Sequence, residues 1–155
     1  METDAALREQ LLELLDGRSA HIDVAAALNG FPLPRINERL PGSPHTPWEL
    51  LEHIRITQRD ILDFSTNPGY NEMKFPDDYW PKAEASEDDW NRSVKQVLGD
   101  LQKMRDLVAD PQSDLFKRFA HGTGQTVLRE AMLVADHNAY HIGQLMLLRR
   151  IFENS

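Results

Sequence analysis

Asp136-His137-Asn138-Ala139-Tyr140-His141 carries two histidines four residues apart. On a helix that spacing stacks both imidazoles on one face, about one turn apart, which is how two metal ligands are presented together. Six histidines in one chain make a pair at this spacing an ordinary coincidence as well, so the pattern does not separate a metal site from two core histidines. Asn138 stands where a zinc protease of the His-Glu-x-x-His type needs its glutamate, which removes that chemistry. The chain has no cysteine, so a metal must rest on His, Asp or Glu, and no thiol nucleophile, zinc ribbon or disulfide is available.

A third nitrogen comes from His53 if the helices that carry it and the pair are neighbours, because side chains on facing helices converge on one interior point. Three neutral imidazoles suit zinc, nickel, iron or copper, and three protein ligands leave positions for water or substrate. Such an open site gives metal-bound water or an exchangeable ligand.

The elements that must position these residues follow from spacing and punctuation. Leu7, Leu11, Leu14 and Leu15 recur at helical intervals over 3–16, with Gly17 suited to a left-handed cap. Asp23 caps a short helix over 24–28, and a proline-punctuated ordered connection spans 32–47. Thr46-Pro47-Trp48-Glu49 is a helix start: Thr46 and Glu49 can satisfy each other's amides, and Pro47 occupies the position that needs no donor. This second long helix runs to about Ser65, with His53 in the same seam as Leu50, Thr57, Ile61 and Phe64. Residues 66–85 form a long loop whose aromatics Tyr70, Phe75, Tyr79 and Trp80 favour order and packing over the helices, with pocket lining a second role.

Ser86, followed by three acids, starts a third long helix that Asp110-Pro111 ends. Trp90, Val94, Val97, Leu101, Met104 and Val108 mark its buried side. Residues 112–124 connect, with one helical turn expected around Leu115 and Phe116. The fourth long helix begins near Thr123 or Thr126 and runs to about Phe152. Leu128, Met132, Ala135, Ala139, Ile142 and Met146 line one row, and Val134, Leu145 and Leu148 lie beside the histidines. So apolar a helix is buried on several sides, centrally or against another subunit.

At 155 residues and 41% apolar composition, a single domain with one core is expected. A net charge of −8 with no long basic run argues against nucleic acid, and no stretch is apolar and long enough for a membrane span. The first residues lack the basic start and apolar run of a signal peptide, so the expected location is cytoplasmic.

The strings Trp48-Glu49-Leu50-Leu51-Glu52-His53-Ile54, Asp60-Ile61-Leu62 and Asp136-His137-Asn138-Ala139-Tyr140-His141-Ile142-Gly143-Gln144 closely resemble the DinB/YfiT-like superfamily, over nearly the whole chain. The resemblance implies an all-α fold, a four-helix bundle of the DinB/YfiT-like type with a long ordered loop between helices two and three. It implies one divalent transition metal on His53, His137 and His141, with zinc or nickel foremost and iron or manganese behind them. It also implies a homodimer and a small-molecule substrate, a low-molecular-weight thiol among the candidates. The reaction classes it suggests are a metal-dependent hydrolase and a thiol-dependent transferase. A non-catalytic, metal- or ligand-binding stress-response module is the alternative. Fold and metal transfer between relatives better than chemistry does, and no residue is assigned as general acid or base.

The remaining polar residues have simpler roles. His21, His45 and His121 are expected to be structural or solvent-facing. Glu52, Asp60, Glu130 and Asp136 could orient a liganding imidazole, although helix carboxylates mostly face solvent. Glu52 and Asp136 each point about 100° away from the neighbouring histidine. Arg149 and Arg150 offset the dipole of the last helix.

Overall fold

The computed structural model describes residues 2–155, and among these the regular structure is entirely helical. The elements are α1 (Glu2–Asp16), α2 (Val24–Leu28), a 3-10 turn (Leu33–Arg35), α3 (Pro47–Thr66), α4 (Glu87–Ala109) and α5 (Val127–Glu153). The boundaries fall where local chemistry places them. Thr46 Oγ1 accepts from the Glu49 amide at 3.1 Å while Glu49 Oε2 accepts from the Thr46 amide at 2.9 Å, and Pro47 is the first helical residue. Ser86 and Asp89 make the same reciprocal cap on α4, and Thr126 caps α5. Gly17 closes α1 at φ 70°, a left-handed conformation that a side chain would strain.

Both α1 and α3 pack against α4 and α5. Leu51, Ile54, Val97, Met104, Val108, Ala131, Val134 and Leu145 form the fully buried centre of one continuous apolar cluster. The seam positions of α4 behave as their spacing predicts, except that Val94 is only half-buried. On α5, Val134, Leu145 and Leu148 are buried as expected, whereas Met132 is 51% exposed; Tyr140, Leu147 and Ile151 also face outward. The expected helical turn around Leu115 and Phe116 is absent. That segment is a set of turns pinned by an Arg118–Thr126 bridge, because Leu115 buries its side chain while its carbonyl accepts from the Leu128 amide at 3.0 Å.

Buried polar contacts bind the helices to one another. Gln58 on α3 donates to the Val97 carbonyl on α4 at 2.7 Å and accepts from Asn138 Nδ2 on α5 at 2.7 Å, so three helices meet at one amide. Arg8 donates to the carbonyls of Val108, Asp110 and Ser113, satisfying the end of α4 from α1. Arg149 does more than offset a dipole: its guanidinium reaches the Asn29 carbonyl at 2.8 Å and ties the end of α2 to α5.

The connection between α3 and α4 is held to the helices at several points. Trp48 Nε1 donates to the Ala83 carbonyl at 2.9 Å, and the Asn37 side chain pairs with both backbone groups of Ala85. Tyr70 and Tyr79 donate from their phenols to the two oxygens of Asp60 on α3, at 2.8 and 2.6 Å. Tyr70, Tyr79 and Trp80 are half-buried as expected of an ordered loop, but Phe75 is 75% exposed, with only the Tyr79 ring beside it.

Candidate metal centre

His53 lies two turns into α3, on the side that faces α5, and its position follows from the cap that starts the helix at Pro47. His137 and His141 lie on consecutive turns of α5. Since α3 and α5 are in contact, the three imidazoles converge, and one ligand nitrogen from each lies within 4.8 Å of the other two. His53 Nε2 and His137 Nε2 are 3.1 Å apart. His53 and His141 are buried and His137 is half-buried.

The outer nitrogens are largely committed, which determines what the inner ones can do. His53 Nδ1 donates to the Tyr79 carbonyl at 2.8 Å, and His141 Nδ1 donates to Gln144 Oε1 at 2.7 Å. Each bond fixes a tautomer whose Nε2 carries a lone pair. His137 differs: its Nδ1 is buried with no hydrogen-bond partner among the described residues. Burial lowers the pKa of all three rings. For His137 burial, followed by the like charges of His141 and His53, brings it down to about 3. Three neutral imidazoles with convergent nitrogens are therefore present at neutral pH.

Trp80 closes one side of the cluster. Its ring lies flat on His53, with centroids 3.9 Å apart and planes 2° apart, and His45 stacks on its other face at 4.0 Å. His45 is thus half-buried in a His-Trp-His stack and not solvent-facing as its position before the Thr46 cap suggests. His21 is exposed and its Nδ1 donates to the Ile22 carbonyl. His121 is exposed and donates from Nε2 to the Phe64 carbonyl. Neither joins the cluster.

The carboxylates considered as orienting groups have other partners. Glu52 is buried but turned toward α4, where it accepts from Ser93 Oγ, and it also accepts from Arg55 of its own helix. Asp136 is exposed, Asp60 holds the two phenols, and Glu130 takes Arg129. The groups that do orient rings of the cluster are a backbone carbonyl and an amide side chain. The carbonyl has no sequence signature. Gln144, three residues after His141 on the same helix, is a neighbour that helical spacing could have indicated.

The donor set fits a divalent transition metal: convergent nitrogens of three neutral imidazoles, two of them with an inward lone pair fixed by an outer hydrogen bond, in a pocket that disfavours protonation. Among the described residues this is the one group of three or more His, Asp or Glu that could hold an ion. Fold and site together define an all-α protein with a three-histidine centre between two of its long helices.

The model of the DinB superfamily matches residues 8–145, and the chain belongs to that superfamily. No curated protein and no solved structure gives a significant match. No helix of the described residues is long and apolar enough to cross a membrane.

Proposed function

We propose that the chain is a single four-helix-bundle domain that holds one divalent transition metal on His53, His137 and His141 and uses it on a small-molecule substrate. The observation that carries this reading is the convergence of three imidazole nitrogens within 4.8 Å. The hydrogen bonds that His53 and His141 donate to the Tyr79 carbonyl and Gln144 Oε1 support it, because they leave a lone pair on the inner nitrogen of each of these two rings. Zinc and nickel suit the donor set best, with iron and manganese next. Such a metal, when bound, supplies Lewis acidity and lowers the pKa of a water or thiol at an open position. The chain's own residues orient two of the three imidazoles, those of His53 and His141, and wall one side with Trp80. A metal-dependent hydrolase or a thiol-dependent transferase is the reaction class this supports.

The engagement of Glu52, Asp60 and Glu130 elsewhere favours a second reading, in which metal occupancy stabilises the fold and a ligand is bound without turnover. The exposed Met132, Tyr140, Leu147 and Ile151 on α5 support a homodimer formed through that helix, which sedimentation would detect.

Elemental analysis tests the metal reading. Wild type and the His53→Ala, His137→Ala and His141→Ala variants are each offered zinc, nickel, iron and manganese, then desalted. Near-stoichiometric metal in wild type and its loss from every variant is the expected result; equal background in all four proteins overturns the reading. Assays of the loaded protein against ester, amide and thiol-acceptor substrates then separate the catalytic reading from the non-catalytic one.

A further inference from the structure

A cavity of about 450 Å³ opens between α3, α5 and the two loops that flank them, and no member of the histidine cluster lines it. Asp60 follows His53 by seven residues on α3, and Glu130 precedes His137 by seven on α5. Both therefore lie two turns, about 10 Å, along the same seam from the histidines. Phe64, Tyr70 and Tyr79 supply aromatic walls, with Phe64 and Tyr70 packed edge to face at 5.1 Å.

The charge lining this cavity is unbalanced. Asp60, Glu72 and Glu130 face one guanidinium, that of Arg129, and Arg129 is already paired with Glu130 Oε1 at 2.7 Å. Glu130 is only 3% exposed, and among the described residues no donor reaches its Oε2. A carboxylate so deeply placed, with an oxygen lacking a protein partner, gains from any cation that enters beside it. Burial raises the Glu130 pKa against the opposing effect of its Arg129 partner, and the charge of Asp60 adds a smaller push in the same direction as burial.

A divalent metal ion does not suit this cavity. Both oxygens of Asp60 are committed to phenols, and the acids do not converge as a ligand set among the described residues. Aromatic faces beside carboxylates are the surroundings that attract an organic cation, through the ring quadrupoles and the net charge together. The volume is within the range of small-molecule pockets.

We propose that this cavity binds an organic ammonium ion, an amine or trimethylammonium group on an apolar body, with Glu130 as its charge partner and the rings of Tyr70 and Tyr79 as its walls. The site is separate from the metal centre and does not rest on it. Tyr79 is the one residue common to both, since its ring lines the cavity while its carbonyl holds His53.

The test is a calorimetric titration of the metal-free 155-residue chain with benzyltrimethylammonium, benzyl alcohol and benzoate, with ¹H–¹⁵N spectra to locate the shifts. Saturable 1:1 binding of the cation is expected, with shifts at Tyr70, Tyr79 and Glu130. The neutral and anionic probes should bind at least about tenfold more weakly, because charge complementarity discriminates between them. Glu130→Gln, checked for native circular dichroism, should weaken cation binding by about tenfold or more. Glu72→Lys, at an exposed position where folding is not at stake, should also weaken it. Benzoate binding as tightly as the cation would overturn the proposal and indicate an anion pocket built on Arg129. So would a cation affinity unchanged in both variants, or no saturation by the cation up to about 10 mM, a range in which the binding free energy is small.

Discussion

Trp80 lies flat on His53, with ring centroids 3.9 Å apart and planes 2° apart, so an indole from the α3–α4 loop reports directly on a candidate metal ligand. The other two tryptophans, Trp48 and Trp90, are buried elsewhere in the core. Loading the protein with nickel should therefore change the indole emission through Trp80. In Trp80→Phe the metal-dependent change should disappear while metal content stays near wild type. A change that survives the substitution would mean that the metal is bound away from His53.

Gln144 holds His141 by one hydrogen bond, and the loss of such an orienting partner from a ligating histidine typically costs about 10–100-fold in metal affinity. Gln144→Ala should lower affinity by roughly tenfold in a competition titration against a chromophoric chelator. At saturating metal it should still bind one equivalent, which distinguishes it from the three ligand substitutions.

The buried histidines also predict how the metal-free protein responds to acid. The unfolded-state value is near 6.5, while His137 is lowered to about 3 in the fold, and His53 and His141 are lowered too. Between those values the unfolded chain binds protons that the native chain does not, so unfolding free energy rises with pH and falls as pH drops from about 6.5 toward 3. Urea denaturation across that window should show this loss. His137→Gln should show a shallower dependence, and an identical slope in the two proteins would contradict the burial of a neutral imidazole.

Leu145 is completely buried one turn beyond His141, and Leu145→Ala should cost about 2–5 kcal/mol through lost transfer energy and the cavity left behind. For a chain of this length the corresponding fall in Tm is on the order of 5–15 °C. The same substitution at exposed Leu147 should have little effect on the monomer; a large effect there that depends on protein concentration would show that this side of α5 is covered by a second copy.

The helix boundaries were legible because they are local. The Thr46–Glu49 and Ser86–Asp89 caps each involve residues three apart, and the seam of Trp90, Val97, Leu101, Met104 and Val108 needs only helical periodicity to be recognised. The His137–His141 pair is equally local, since four residues on one helix fix its face.

Spacing along one helix could not show which nitrogens those rings expose, or what closes the site. His53 Nδ1 finds a backbone carbonyl 26 residues away, Trp80 is inserted between two histidines on either side of the α3 cap, and His137 Nδ1 is left without a partner. A main-chain acceptor is the same atom in every residue, so no residue type marks it in advance. The cavity around Glu130 was hidden for a related reason. A glutamate on a helix normally faces bulk water, and only the packing of α3, α5 and the Tyr70–Tyr79 loop, clamped by Asp60, sets this carboxylate into the wall of a cavity.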